Sequence, residues 1–361
     1  MAKKAMIAMS GGVDSSVSAK LMCDKGYECI GVTMRLYDND MIGKKCSKTC
    51  CSEDDVADAR SVAYSLGMQY YVFNFSDDFD RQVISRFVSA YENGFTPNPC
   101  IDCNRYMKFE KLFNRAQTLG YDYIVTGHYA RIEKDENTGR YLLKKAVDDT
   151  KDQSYVLYSL TQQQLAHTVF PLGGYRKTEI RKIAEENGFI NAKKHDSQDI
   201  CFVPDGDYAE FIKRYTGKDY PPGDYKDSSG RVLGKHKGII NYTVGQRRGL
   251  GIALGHHVFV LKKDIASNSV TLGEENELYF KKVIVKDLNF ISVEKLEKSM
   301  RVKVKLRYRH TEQPAVIESM QDGQVLVTFD EPQRAPTAGQ AAVFYDGDTV
   351  VGGGVIVKGE N

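Results

Sequence analysis

Ser10-Gly11-Gly12-Val13-Asp14-Ser15-Ser16 places two glycines, three serines and an acid between an apolar run, Ala5 to Met9, and a breaker-free stretch, Val13 to Lys25, that closes on Gly26. The run reads as a buried strand and the stretch as a helix with a glycine C-cap. Small residues at a strand-to-helix turn let backbone N–H groups approach an anion. The helix N-terminus adds a favourable dipole and the serines add hydroxyl donors. The chemistry is phosphate binding. Neither G-x-x-x-x-G-K-S/T nor G-x-G-x-x-G is present, and no lysine lies inside the turn. Two glycines alone would be an ordinary turn; glycines, Asp14 and three serines at the first strand are more than that.

Thiols supply the second chemistry. In Asn98-Pro99-Cys100-Ile101-Asp102-Cys103-Asn104, prolines at 97 and 99 predict an extended loop, and Cys103 is expected to open a helix bearing Met107, Phe109, Leu112 and Phe113. A thiol at a helix N-terminus is biased toward thiolate. A C-x-x-C pair alone is a redox pair, half a zinc site or buried packing. Cys201, in Asp196-Ser197-Gln198-Asp199-Ile200-Cys201-Phe202, reads by itself as a core residue. Cys46, Cys50 and Cys51 precede a capped helix with no histidine nearby, which favours a loop over a zinc site. Cys23 and Cys29 fall on a predicted helix and strand and read as packing; His256-His257 reads as structural or surface.

These residues need a scaffold, and the chain is long enough to supply one. Its 361 residues exceed the usual single-domain size, and 42% hydrophobic with 27% charged residues is a globular composition. Met1-Ala2-Lys3-Lys4 leads into the first strand with no signal peptide, and no apolar run reaches membrane-spanning length. Eight cysteines in such a chain argue for a reducing cytoplasm. A net charge of +2 does not announce a nucleic-acid binder, so that reading must rest on local patches.

Strands over Cys29–Leu36, Tyr70–Phe75 and Tyr123–Thr126 alternate with helices begun by the capping-box-like Ser52-Glu53-Asp54-Asp55 and spanning about Asp77–Glu92 and Arg105–Leu119. Regular alternation predicts a mostly parallel sheet covered on both faces, with ligands at the strands' carboxyl ends. There Ser10-Gly11-Gly12 and Thr126-Gly127-His128 should share one crevice. Helices are expected near Gln162–His167 and Lys177–Asn187, then over Tyr208–Tyr215, before glycine-rich strands. From about 281 the pattern is β only, with hairpins about Gln321-Asp322-Gly323-Gln324 and Asp346-Gly347-Asp348, which suggests a small antiparallel barrel. The predicted fold class is therefore α/β, with three units: 1–205, 206–280 and 281–361. On a strand, Arg301-Val302-Lys303-Val304-Lys305-Leu306-Arg307-Tyr308-Arg309 would put five cations on one face, suited to a phosphate backbone. Lys235, Lys237, Arg247 and Arg248 add basic surface to the middle unit.

The Ser10-to-Ser16 turn resembles the pyrophosphate loop of the ATP pyrophosphatases, which split ATP into AMP and pyrophosphate. Together with Asn98-to-Asn104, Thr126-Gly127-His128-Tyr129, Lys151-Asp152-Gln153-Ser154, Ser197-to-Phe202, Tyr242-to-Gly249 and Arg307-Tyr308-Arg309, it resembles the tRNA-specific 2-thiouridylases over nearly the whole chain. That resemblance implies an adenine-nucleotide-hydrolase-like first domain with a tRNA-contacting middle domain and barrel. ATP would adenylate the C2 oxygen of a wobble uridine, with sulfur then delivered from a cysteine persulfide. It implies Cys103 and Cys201 as catalytic, Cys201 carrying the persulfide and a disulfide forming between them. It implies Ala8, Met9, Ser10, Gly11, Gly12, Val13, Asp14, Ser15, Ser16, Met34 and Gly127 at the nucleotide. Asn98, Pro99, Cys100, His128, Lys151, Asp152, Gln153, Arg307, Tyr308 and Gln340 would meet the target base or tRNA. Partners are tRNA and a sulfur donor protein, with no membrane; the cofactor is ATP, with magnesium on its phosphates. Many relatives carry aspartate where Cys100 stands. The set Cys100, Cys103 and Cys201 opens an alternative, a 4Fe–4S cluster with one open iron. An amidating small-molecule ATP pyrophosphatase, which would not need Cys103 or Cys201, is the other alternative.

Overall fold

The structure, a computed structural model, describes residues 2–37, 53–194 and 200–361. Cys46, Cys50, Cys51, the Ser52 cap and Asp196 to Asp199 lie outside the described residues. Strand β1 (Lys4–Ala8) leads through the glycine turn into α1 (Val13–Asp24) and β2 (Glu28–Arg35). Then come α2 (Glu53–Ser65) and β3 (Gln69–Asn74). Helix α3 (Ser76–Phe79) passes through a π-helical segment, Asp80–Ile84, into α4 (Ser85–Glu92). Helix α5 (Pro99–Asp102) does the same through Cys103–Leu112 into α6 (Phe113–Thr118). After β4 (Tyr123–Val125) come a hairpin of β5 (Ala130–Lys134) and β6 (Tyr141–Lys145), then α7 (Gln162–Ala166), β7 (Thr168–Val169) and α8 (Lys177–Glu186).

Strands β1 to β4 and β7 form one parallel sheet in the order β3-β2-β1-β4-β7. Alternate β1 side chains enter different cores. Ala5 and Ile7 pack with Val17, Ala59 and Val62, and Met6 packs with Phe109, Leu112 and Ile124. Both faces are covered, as the alternation predicts. The chain steps outward from β1 to β3 and then returns to β1's other side as β4. That reversal opens a crevice at the carboxyl ends of β1 and β4.

The middle unit carries α9 (Tyr208–Thr216) and strands β8 (Gly223–Lys226), β9 (Val232–His236), β10 (Phe259–Asp264) and β11 (Ser269–Gly273), ordered β10-β11-β8-β9. His256 and His257 are exposed and precede β10. The last unit closes on itself: β12 (Tyr279–Phe290), β13 (Met300–Lys305), β14 (Gln313–Ser319), β15 (Val325–Arg334), β16 (Ala341–Asp346) and β17 (Thr349–Glu360) form a six-stranded antiparallel barrel sealed by β12 on β17.

Three local readings need correction. The hairpin β5–β6, absent from the sequence-based elements, extends the barrel sheet from β17, so the unit of the parallel sheet is stitched to the barrel. The basic strand stops at Lys305. Arg307 there turns inward to donate to the carbonyl of Ala335 at 2.6 Å and to Thr337 Oγ1, and the N–H of His310 closes a turn on its carbonyl. The five-cation face is broken accordingly, and Arg301 is held by Asp330. Finally, Cys103 does not open its helix. Asn98 is the N-cap, its side chain accepting from Cys100 N–H at 3.1 Å, and Pro99 takes the first helical position. Cap followed by proline is a start signal that moves the terminus toward Cys100.

Candidate active site

At the switch point, Gly11 has φ +73°, and a Cβ there would lie 2.4 Å from the carbonyl oxygen of Asp55. Only glycine permits both. Gly12 then takes the N-cap position of α1 with no side-chain cap, so the first-turn N–H groups are presented to the crevice. Ser15 and Ser16 turn their hydroxyls back onto the Gly12 carbonyl at 3.0 and 3.1 Å, and Ser15 Oγ accepts from Ser10 N–H. The loop is pre-shaped by its own serines. From β4 comes Gly127, where a Cβ would stand 3.0 Å from the backbone at Asp14 and Ser15; the two loops touch because Gly127 has no side chain.

Charge around the loop is arranged about two lysines. Lys177, at the start of α8, reaches both Asp14 carboxylate oxygens at 2.8 Å, and Tyr129 donates to the same carboxylate at 2.7 Å. Lys194 bridges Asp55 at 2.5 Å and Asp58 at 2.7 Å and also donates to the Gly11 carbonyl at 3.3 Å. Burial opposes its charge, but the hydrogen bonds to Asp55 and Asp58 outweigh that and raise its pKa. Asn191, 2% exposed, donates to the Gly11 carbonyl at 3.0 Å and to Ser16 Oγ at 2.8 Å. Sequence reasoning missed Lys177, Asn191 and Lys194, which lie far along the chain in no recognisable phosphate motif. The lone legible signal was the charge of the two lysines.

His128, buried at 6% exposure, holds Thr126 Oγ1 at 2.6 Å and lies 3.4 Å from Lys108 Nζ and against the ring of Phe109. Burial first, and Lys108 second, push its pKa well below the ordinary histidine value, so the ring is neutral at neutral pH. Lys108 and Phe109 belong to the segment that Cys103 begins. A continuous run of contacts therefore joins the phosphate loop, Gly127, His128 and the cysteine helix.

Cys100 is exposed, while Cys103 and Cys201 are partly buried and pack against the same core. Tyr37 OH donates to the Cys201 carbonyl at 2.9 Å, and Phe202 behind it is buried among Phe79, Phe87 and Phe211. Among the described residues no three His, Cys, Asp or Glu side chains form a group that could hold a metal ion. The barrel closes on the Cys100 helix from outside. Gln340 donates to the Thr96 carbonyl at 2.7 Å, Tyr308 donates to the Asp152 carbonyl at 3.2 Å, and its phenol is perturbed by burial, Asp152 and Cys100. Asp152 and Gln153 act inside the protein: Asp152 accepts from Ala146 N–H and from Ser154, and Gln153 accepts from Tyr129 N–H. Lys151 is partly exposed beside them, and Met34 is buried on β2 beside β1.

A backbone anion cradle at the switch point of a parallel sheet, with a cysteine helix in contact, is the arrangement of a nucleotide-binding enzyme with thiols at hand. Residues 3–205 match a family profile described as a tRNA methyl transferase HUP domain, 209–274 its PRC-barrel domain, and 280–356 an aminomethyltransferase β-barrel domain. The chain is 55% identical over 355 residues to the tRNA-specific 2-thiouridylase MnmA of Acetivibrio thermocellus, covering 98% of this chain and 99% of that one. It is 50% identical to the namesake protein of Clostridioides difficile, with 99% of both chains covered, and 51% identical to that of Clostridium acetobutylicum, with 99% and 100% covered. The chain belongs to the tRNA-specific 2-thiouridylase family. Although the first profile carries a methyltransferase description, its full-length relatives are named for thiolation.

Proposed function

We propose that this protein uses ATP to convert the C2 oxygen of a tRNA wobble uridine to sulfur, acting through a cysteine persulfide. The contact path from the phosphate loop through Gly127 and His128 to the cysteine helix carries the reading. Along that path an activating site and a thiol site would share one crevice.

A carbonyl oxygen leaves poorly and AMP leaves well. The uridine oxygen would attack the α-phosphorus of ATP, and pyrophosphate would depart into the N–H groups of the Gly11–Ser15 turn, which need no reorganisation to receive it. Magnesium would arrive on the ATP phosphates as part of the substrate. The terminal sulfur of a Cys201 persulfide would then add to C2 and expel AMP. Cys103 thiolate would attack Cys201 Sγ, forming the Cys103–Cys201 disulfide and releasing the thiocarbonyl. A thiol reductant and a sulfur donor protein would restore the persulfide. His128, neutral, would position its loop without adding charge. The target base would leave its stack to enter the crevice, met by Asn98, Pro99 and Cys100 with Lys151 and Tyr308 near, and the reaction would take place in the cytoplasm. The units 1–205, 206–280 and 281–361 would divide the work into chemistry and two tRNA-holding bodies, Arg307 and Gln340 bracing the latter.

Anaerobic preparation with iron and sulfide analysis, followed by tRNA thiolation assays, tests this. Cys103→Ser and Cys201→Ser should abolish thiolation while tRNA-dependent AMP formation persists, and Cys100→Ala should remain active without iron. Full activity of both serine variants would end the reading. Stoichiometric iron lost with any of the three cysteines would replace the persulfide with a cluster.

A further inference from the structure

The turn that precedes Cys201 contains two side chains the reaction above does not use, and both end on one atom of the phosphate loop. The Gly11 carbonyl oxygen accepts from Asn191 Nδ2 at 3.0 Å and from Lys194 Nζ at 3.3 Å. It belongs to the peptide unit that also contains the Gly12 N–H. In a trans peptide the carbonyl and the N–H point in opposite directions, and the chain has no cis bond among the described residues. Gripping the carbonyl from behind therefore aims the Gly12 N–H forward, into the crevice where α1 begins. We propose that Asn191 and Lys194 are positioning residues for pyrophosphate, setting the Gly11–Gly12 peptide in the orientation that receives the leaving group.

Several features fit a built device better than incidental packing. Asn191 is 2% exposed and ties the same carbonyl to Ser16 Oγ, so the loop and the first turn of α1 are fixed together. Asp55 and Asp58 hold Lys194 in place, and the Asp55 carbonyl is also what forbids a side chain at Gly11. A glycine peptide is the one most able to flip; two donors on its carbonyl are what would prevent that.

This inference rests on the proposed adenylation, and the test separates the two. Wild type, Lys194→Met, Lys194→Arg and Asn191→Ala would be compared for tRNA-dependent AMP formation, with KM measured separately for ATP and tRNA. Lys194→Met and Asn191→Ala should each raise KM for ATP about tenfold or more, the scale of a lost charge-assisted or buried hydrogen bond. KM for tRNA should be unchanged, and Lys194→Arg should restore most of the loss. Equal ATP KM in wild type and both variants would overturn the inference while leaving the function intact. A wild type that forms no AMP with tRNA would remove the function itself. Should Lys194→Met fail to fold, Asn191→Ala decides alone: a normal ATP KM in that variant refutes the positioning role.

Discussion

The two halves of the crevice are built on opposite plans. The phosphate half is finished within the first domain: Gly11, Gly127 and the serine hydroxyls fix its backbone, and Lys177 and Lys194 each carry a carboxylate partner. The thiol half is assembled from three distant stretches. The helix begun at Asn98, the Ile200–Phe202 segment and the barrel residues Tyr308 and Gln340 meet only in the fold, and Cys100 stays exposed. The difference follows from the chemistry. Pyrophosphate is always the same shape, so rigid backbone donors suit it, whereas in the proposed reaction a sulfur donor and a tRNA would both have to reach the thiols.

If that contrast is right, the phosphate half should tolerate least. Gly11→Ala would put a Cβ 2.4 Å from the Asp55 carbonyl in a backbone region that costs L residues about 1–2 kcal/mol. AMP formation should fall on the order of a hundredfold or more, the cost of a misplaced oxyanion donor. Measured turnover within threefold of wild type, with normal ATP affinity, would break the claim of rigidity. On the other side, Gln340→Ala removes one hydrogen bond between barrel and loop, worth about 1 kcal/mol. It should raise KM for tRNA about three- to tenfold and leave KM for ATP alone. An ATP defect instead would mean the halves are not separable.

The same division explains what could be read in advance. Ser10 to Ser16 was legible because local composition and the strand-to-helix order specify a phosphate turn without help from elsewhere. The supports were not. Lys177, Asn191 and Lys194 gain their meaning only when α8 and the following turn fold back onto α1. Hairpin β5–β6 escaped notice because its partner strand β17 lies at the other end of the chain. Alternation along Arg301–Arg309 was correct for the buried Val302, Val304 and Leu306, but Arg307's capture by the Ala335 carbonyl ends the strand, and no periodicity encodes that. Asn98-Pro99 was a start signal overlooked in favour of the cysteine itself.

The smallest effect sharpens the comparison through a third, partly buried lysine. Lys263, on β10 where the middle unit meets α4, has an Nζ with no hydrogen-bond partner among the described residues and lies 5.7 Å from the Tyr91 ring. Burial alone lowers its pKa from 10.5 to about 8. A base depressed in the folded state binds fewer protons than the unfolded chain between those values. Its stability contribution is therefore complete above about pH 10.5, declines as pH falls toward 8, and stays at its lower level below that. At pH 7 the ammonium thus costs about 1–3 kcal/mol, less whatever the tyrosine face returns. Lys263→Met should raise the urea midpoint at pH 7, with the gain shrinking by pH 10, whereas Lys177→Met, which removes the cation from Asp14, should lower it. A lowered midpoint for Lys263→Met at pH 7 would mean that this amine, like the two at the phosphate loop, is stabilised as a cation where it stands.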